Sequence, residues 1–204
     1  MRTTLAWVTV TLNTKQYQSP DHPDDKTIQH IDVENVVTGG VQGTSEFRIT
    51  DWKKRERNDT IFGRVEGQSQ LFRGAAAKDG SGKVRPNVEV QTTIDDEKIG
   101  KFLRGEITAD GAEVEGFLVD PVGDGFGEGQ GLWLQSYVKS LDSSWTAEQI
   151  WGFEAINGER YHTRRVVVAN NGEYVLARLV YTSVPPSARD ENDDDEDDDD
   201  DLVY

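Results

Sequence analysis

The chain has no cysteine among its 204 residues. That excludes disulfides, a thiol nucleophile and a cysteine metal site, and leaves the protein indifferent to a reducing cytosol. Long hydrophobic runs are missing too. Nothing approaches the roughly 20 apolar residues of a membrane span. Leu5 to Leu12 is apolar only in alternation, Thr9 and Thr11 interrupt it, and no small-residue cleavage site follows. No membrane partner and no secretory leader are expected, so the expected location is cytoplasmic or nuclear. Clustered lysine and arginine are scarce, which argues against nucleic acid as a partner. No nucleophile elbow, metal triad or phosphate loop supports hydrolysis or phosphoryl transfer. The glycine run Gly123 to Gly131 alternates as G-x-G-x-G, without the dinucleotide spacing and without a following helix to face a phosphate. It reads as a loop between strands. Asp120, Asp124 and Glu128 around it do not match a calcium-loop order.

What is abundant is acid, and it is concentrated. The formal net charge is −16, but Asp190 to Asp201 is acidic at every position except Asn192. Without that run the chain is left near −5 (about), an ordinary value for a soluble domain. Such a low-complexity tail repels itself and has nothing apolar to bury, so disorder is expected. It reads as a solubilising appendage, with binding of basic proteins as the alternative. The expected organisation is one domain over 1–187 and a disordered acidic tail over 188–204.

The body reads as strands. Ala6, Val8, Val10 and Leu12 alternate with Trp7, Thr9 and Thr11, and the polar stretch Asn13 to Lys26 reads as a loop. Strands are expected at Ile28 to Val37, at Ser45 to Ile49, at Thr60 to Glu66, at Ser69 to Arg73 and at Asn87 to Thr93. Gly74 to Arg85 reads as a loop. One helix is expected, capped by Thr93 with Asp95, Asp96 and Glu97 in its first turn, buried through Ile94, Ile99, Phe102 and Leu103, and stopped by Gly105. Strands follow at Glu113 to Val119 and Leu132 to Val138. About ten strands, one short helix and no βαβ alternation indicate an all-β antiparallel fold, and an up-and-down barrel is expected because closure removes exposed edges.

The last part of the chain carries its own register. Asn157-Gly158 and Asn171-Gly172 are two-residue turn signals, because both central positions of a type I′ turn need positive φ. They set Phe153 opposite His162 and Trp151 opposite Arg164. They also set His162 opposite Tyr181 and Arg164 opposite Leu179. Opposed residues share a sheet face. One face therefore carries Trp151, Phe153, Val166, Val168, Val175, Ala177, Leu179 and Tyr181, with Gln149, His162 and Arg164 among them. The other carries Glu148, Glu154, Arg165 and Arg178 and reads as the wet side. A mostly apolar face with a few polar groups is what a ligand-lined barrel interior looks like. Arg164 is the candidate anchor for a carboxylate, phenolate or carbonyl oxygen, and His162 and Tyr181 are candidates to hydrogen-bond it or move a proton. No cofactor is expected. A barrel histidine such as His162 can ligate haem, but nothing else marks a haem site.

Two blocks carry a resemblance. One runs from Gly43 to Gly67, with Asp51-Trp52 and Ile61-Phe62-Gly63. The other runs from Trp145 to Tyr181, with Trp151-Gly152-Phe153, Tyr161-His162-Thr163-Arg164-Arg165 and Arg178-Leu179-Val180-Tyr181. With these the chain resembles calycin-type barrels, the lipocalins and fatty-acid-binding proteins, and is similar to small lipocalin-like proteins of filamentous fungi. The resemblance implies an internal pocket for a small apolar molecule. It departs from the family at Trp7, which follows Leu5-Ala6 instead of a Gly-x-Trp. It departs again at Arg178 and Tyr181, which are three apart and not in an Arg-x-Tyr clamp. No family binding residues are carried over. The reading from sequence is a carrier or sensor of a small, largely apolar molecule bearing an oxygen. The alternative is a non-hydrolytic isomerase or cyclase in the same pocket, with His162 as base and Tyr181 or Glu148 assisting.

Overall fold

The computed structural model describes residues 10–37, 45–77 and 80–183. The readings at Ala6, Trp7, Val8 and Gly43, the domain boundary at residue 187 and the tail Asp190 to Asp201 lie outside the described residues.

The described chain forms two antiparallel sheets and one short helix. The smaller sheet is a meander of β1 (Val10–Gln18), β2 (Gln29–Val37) and β3 (Ser45–Ile49). The larger, seven-stranded sheet contains β4 (Arg55–Asp59), β5 (Gly63–Ala76), β6 (Val84–Pro86), β7 (Gln130–Ser140), β8 (Thr146–Ile156), β9 (Glu159–Asn170) and β10 (Glu173–Tyr181). Its order is β10-β9-β8-β7-β5-β4, with β6 added to β5. The helix α1 (Glu97–Leu103) lies between β6 and β7 in sequence. Asp51, just beyond β3, bridges to Gln70 of β5, and Trp52 N–H donates to the Ser69 carbonyl at 2.8 Å. The chain thus passes from one sheet to the other at this point, where Trp52 takes a positive φ of 58°. Antiparallel β architecture with one short helix is as expected. The hydrogen-bonded path through the described strands ends at β4 and β10 without closing into a ring.

The two Asn-Gly turns do what their residues allow. Asn157 and Gly158 have φ of 53° and 83°, and Asn171 and Gly172 have 52° and 84°. The predicted pairs follow: Phe153 with His162, Trp151 with Arg164, Leu179 with Arg164 and Tyr181 with His162. A single row therefore crosses five strands as Leu71, Leu134, Trp151, Arg164 and Leu179. We call this face A. Ile31, Val33 and Leu12 of the smaller sheet pack on it against Leu71, Leu134 and Trp151.

The opposite face, B, is not the wet side. Glu148 and Arg165 are 0 % exposed and Glu154 2 %. The reason is the helix. Its apolar stripe Ile99, Phe102 and Leu103 needs a floor, and it finds Trp133, Ile150 and Val167 on face B, with Phe117 closing the cluster. The charged groups are buried with it and are paired. Arg165 donates to both carboxylate oxygens of Glu154 at 2.8 and 3.1 Å, and to the carbonyls of Phe102 and Ile107 at 3.0 and 2.7 Å. Arg178 donates to Glu154 at 3.1 Å from the sheet edge. Glu148 accepts from Gln135 Nε2, from the Thr92 hydroxyl and from the backbone N–H groups of Gln91 and Thr92. Backbone at 91–92, which no strand satisfies, uses this carboxylate instead.

Several elements differ from expectation for local reasons. The polar stretch Asn13 to Gln18 continues β1, because pairing with β2 satisfies its backbone whatever its side chains. Thr60 to Glu66 and Ser69 to Arg73 are not two strands; one strand, β5, passes straight through Gly67. β4 and β6 were not expected. Asn87 to Thr93 and Glu113 to Val119 form no ladder strand, apart from a bridge of Phe117 to Glu154 and one of Glu113 to Ile107. The helix starts later than predicted. Asp96, not Thr93, caps it, accepting from Lys98 N–H at 2.9 Å. It ends where expected, with Gly105 at φ 75°.

Candidate functional site

Face A gathers the predicted polar groups around Trp151. This indole is buried, and its Nε1–H donates to Gln149 Oε1 at 2.9 Å. The Arg164 guanidinium lies over the indole, 3.6 Å from the ring centroid, and 5.3 Å from the Tyr181 ring. His162 stacks on Tyr181 at 5.5 Å, meets Trp151 edge-on at 6.0 Å and tilts against Phe153 at 5.6 Å. Strand register alone brings these together, since positions 151, 162, 164 and 181 lie in adjacent rows of three neighbouring strands.

Not every predicted residue is equally enclosed. Phe153 is 39 % exposed, with the Arg160 guanidinium 3.8 Å over its ring. Leu179 is 42 % exposed on the edge strand. Both flank the cluster at its rim.

Sequence reasoning missed the groups that the smaller sheet contributes. Glu46 and Arg48 on β3 share the inward side with Ile31 and Val33, their direct β2 partners. Phe47, between them, is 71 % exposed. Arg48 lies 5.0 Å from the Trp151 ring centroid. It donates to Glu46 at 2.5 Å and to the Ser136 hydroxyl at 2.6 Å. Glu46 also lies 3.6 Å from Arg164. The signal that could have found them is the opposite-charge pair at i, i+2, which a strand puts on one face.

The electrostatics follow from burial. Desolvation, then the Arg164 charge, lowers the His162 pKa to about 4, so this imidazole is neutral at neutral pH. Burial pushes the Tyr181 phenol up, which also keeps it neutral. Burial alone would raise Glu46, but the charges of Arg48 and Arg164 outweigh it and hold the carboxyl below its ordinary value. Among the described residues the site therefore offers cationic donors, neutral aromatic walls and one carboxylate. His162 is too weak a base at neutral pH for the role first considered for it. Glu148 is on the other face, fully engaged, and cannot assist it.

An open cleft of about 350 Å³ lies elsewhere, lined by Ala75 to Ala77, Arg85, Pro86, Asn87, Arg104 and Glu106. None of the sequence-predicted residues lines it. Its charges are already engaged: Arg104 with Glu106, and Arg85 with the carbonyls of Gly105, Val114 and Glu115. Face A, where Arg48 Nε, Arg164 Nε and Arg164 Nη2 are buried without a partner, against Arg85 Nε at the cleft, is the better candidate. No group of acidic, histidine or cysteine side chains among the described residues is arranged to hold a metal ion. No helix among them is long and apolar enough to cross a membrane.

Comparison with known proteins adds a direction. The chain is similar to the pericyclase pydY of Acremonium sp, with 24% identity over 188 residues, which covers 92% of this chain and 79% of pydY. It is also similar to the probable pericyclase scpY of Mollisia scopiformis, with 35% identity over 74 residues, 36% of this chain and 37% of that protein. No family model and no solved structure matches the chain.

Proposed function

We propose that the protein is a non-hydrolytic biosynthetic enzyme, a pericyclase that closes a ring in a largely apolar polyene held on face A. The observation that carries this reading is the similarity to pydY along 92% of the chain. It favours the enzymatic alternative over the carrier or sensor that the sequence alone put first. The site chemistry fits. A pericyclic cyclisation forms and breaks bonds in one cyclic movement of electrons and needs no proton from the enzyme. A neutral His162 and an unavailable Glu148 are then no handicap. What such a reaction needs is a folded substrate conformer and polarisation of an activating carbonyl. Trp151, Tyr181, His162 and Phe153 are suited to hold the chain, with Leu179 at the rim and Gln149 fixing the indole. Arg164 and Arg48 are suited to draw electron density from an oxygen. In this reading the two sheets enclose face A as in a calycin-like barrel.

Ring closure of this kind is an isomerisation, and that sets the test. Metabolites of the source organism with the gene deleted are compared by high-resolution mass spectrometry with those of the parent and of a complemented strain. The expected result is loss of a cyclised product and accumulation of an uncyclised isomer of identical elemental composition. An unchanged profile, or an accumulating compound of different composition, overturns the proposal. A carrier would bind the same molecule without converting it.

A further inference from the structure

The charge balance on face A says more about the ligand. Arg48 and Arg164 are 7 % and 4 % exposed, and one carboxylate, Glu46, stands between them. Glu46 accepts a hydrogen bond from Arg48 at 2.5 Å, but its nearest approach to Arg164 is 3.6 Å, too far for one. The other neighbours are Ser136, Gln149, His162 and Tyr181, all neutral at neutral pH. Arg57 adds positive potential near Glu46, though it sits at the surface beside Asp59, 3.9 Å away. Among the described residues, two buried cations therefore face one partly buried anion. A buried charge without a partner is costly.

The donors left over have a geometry. Arg48 Nε, Arg164 Nε and Arg164 Nη2 are buried without a hydrogen-bond partner. Arg73 and Arg85 each leave only Nε. Arg164 leaves two nitrogens, and these form one edge of the guanidinium, from which two N–H bonds run parallel. That edge is the fork that matches two oxygens sharing a negative charge. The guanidinium already lies over the Trp151 ring, 3.6 Å from its centroid, and is buried, so little rotamer freedom remains to be lost on binding.

We propose that face A takes its ligand as a monoanion, whose charge is delocalised over two oxygens as in a carboxylate or an enolised 1,3-dicarbonyl, with the Arg164 edge as the bidentate anchor and Arg48 Nε as a further donor. This rests on the reading of face A as the binding site. It goes beyond that reading by assigning the charge of the ligand's polar end. An anion there also neutralises the net positive pair, so the bound site is better balanced than the free one.

The test uses two dyes of nearly the same shape, 1-anilinonaphthalene-8-sulfonate and the uncharged N-phenyl-1-naphthylamine. Both are titrated into the full-length protein and read by fluorescence. The expected result is tighter binding of the sulfonate by about tenfold or more. Arg164→Met should remove that preference, bringing the two affinities to within about twofold of each other, and Arg164→Lys, which keeps charge but not the fork, should restore only part of it. Glu46→Gln supplies a control of opposite sign, expected to tighten the sulfonate several-fold, and it keeps the test open if Arg164→Met does not fold. Equal affinities, no sulfonate binding, or an Arg164→Met variant with the preference intact overturns the proposal. Sulfonate preference together with an unchanged metabolite profile would uphold the anion site and refute the pericyclase. The reverse pair of results would do the opposite.

Discussion

Replacing Arg165 with Met should unfold the protein at markedly lower denaturant, because the residue joins the helix to the sheet. Its guanidinium makes four hydrogen bonds, two to Glu154 and two to the carbonyls of Phe102 and Ile107. Phe102 belongs to the last turn of α1, whose carbonyls have no partner inside the helix. Burial alone would raise the Glu154 carboxyl, but Arg165 outweighs it, with Thr163 and Arg178 helping, and holds the group below its ordinary value. Met at 165 leaves this carboxylate with Thr163 and Arg178 only, removes the donor to the Ile107 carbonyl, and leaves the Phe102 carbonyl with the Gly105 N–H alone. Breaking one side of such a buried pair costs about 3–5 kcal/mol. With a urea dependence of about 2–3 kcal/mol per molar for a protein of this size, 4 kcal/mol lowers the midpoint by roughly 1.3–2 M. Urea unfolding read by tryptophan fluorescence and circular dichroism measures it. The cycle Arg165→Met, Glu154→Leu and the double variant should give a coupling of about 2–3 kcal/mol. A midpoint shift below about 0.4 M, or additivity within about 0.5 kcal/mol, would refute the idea that face B is held by this pair.

Other consequences can be checked separately. His162 has its folded pKa lowered to about 4 against about 6.5 when unfolded. Between those values the unfolded chain takes a proton that the folded one refuses, so stability falls as pH drops from 6.5 to 4, by on the order of 2 kcal/mol. His162→Gln should flatten that slope in chemical denaturation at a series of pH values, and an unchanged slope would count against a buried neutral imidazole. Gly152 faces the helix side, where an added Cβ would lie 2.7 Å from Trp133 and 2.8 Å from Phe117. Gly152→Ala should therefore lower stability by about 1–3 kcal/mol, and a neutral thermal melt would refute tight packing of these rings on Gly152. Gly172 holds φ at 84°, so Gly172→Val should destabilise the β9–β10 hairpin and raise amide exchange there; unchanged exchange would contradict the turn assignment.

The part of the fold legible in the sequence was the part specified locally. Asn157-Gly158 and Asn171-Gly172 dictate positive φ at four positions, and these fix the pairing of three strands and hence the company of Trp151, His162, Arg164 and Tyr181. What was illegible depended on distant cover. Glu148, Glu154 and Arg165 look like a solvent face until the stripe Ile99, Phe102 and Leu103 is seen to need a floor. Arg48 and Glu46 were hidden because Phe47 between them looks like the inward residue, yet Ile31 and Val33 already occupy that side and Phe47 points out. The strand at Asn13 to Gln18 has no apolar alternation to reveal it, since β2 and not burial defines it. The charge of the site was thus half visible: Arg164 could be found from register, but its second cation and its counter-ion came from another sheet.

The most direct measurement is turnover by the purified protein of the uncyclised isomer collected from a deletion strain, followed by chromatography and mass spectrometry. The account predicts first-order conversion to a ring-closed product of the same elemental composition, with Arg164→Met slower by about 10²-fold, the usual effect of removing an electrostatic donor at a reacting oxygen. No conversion above buffer, a product of different mass, or full activity in Arg164→Met would contradict it.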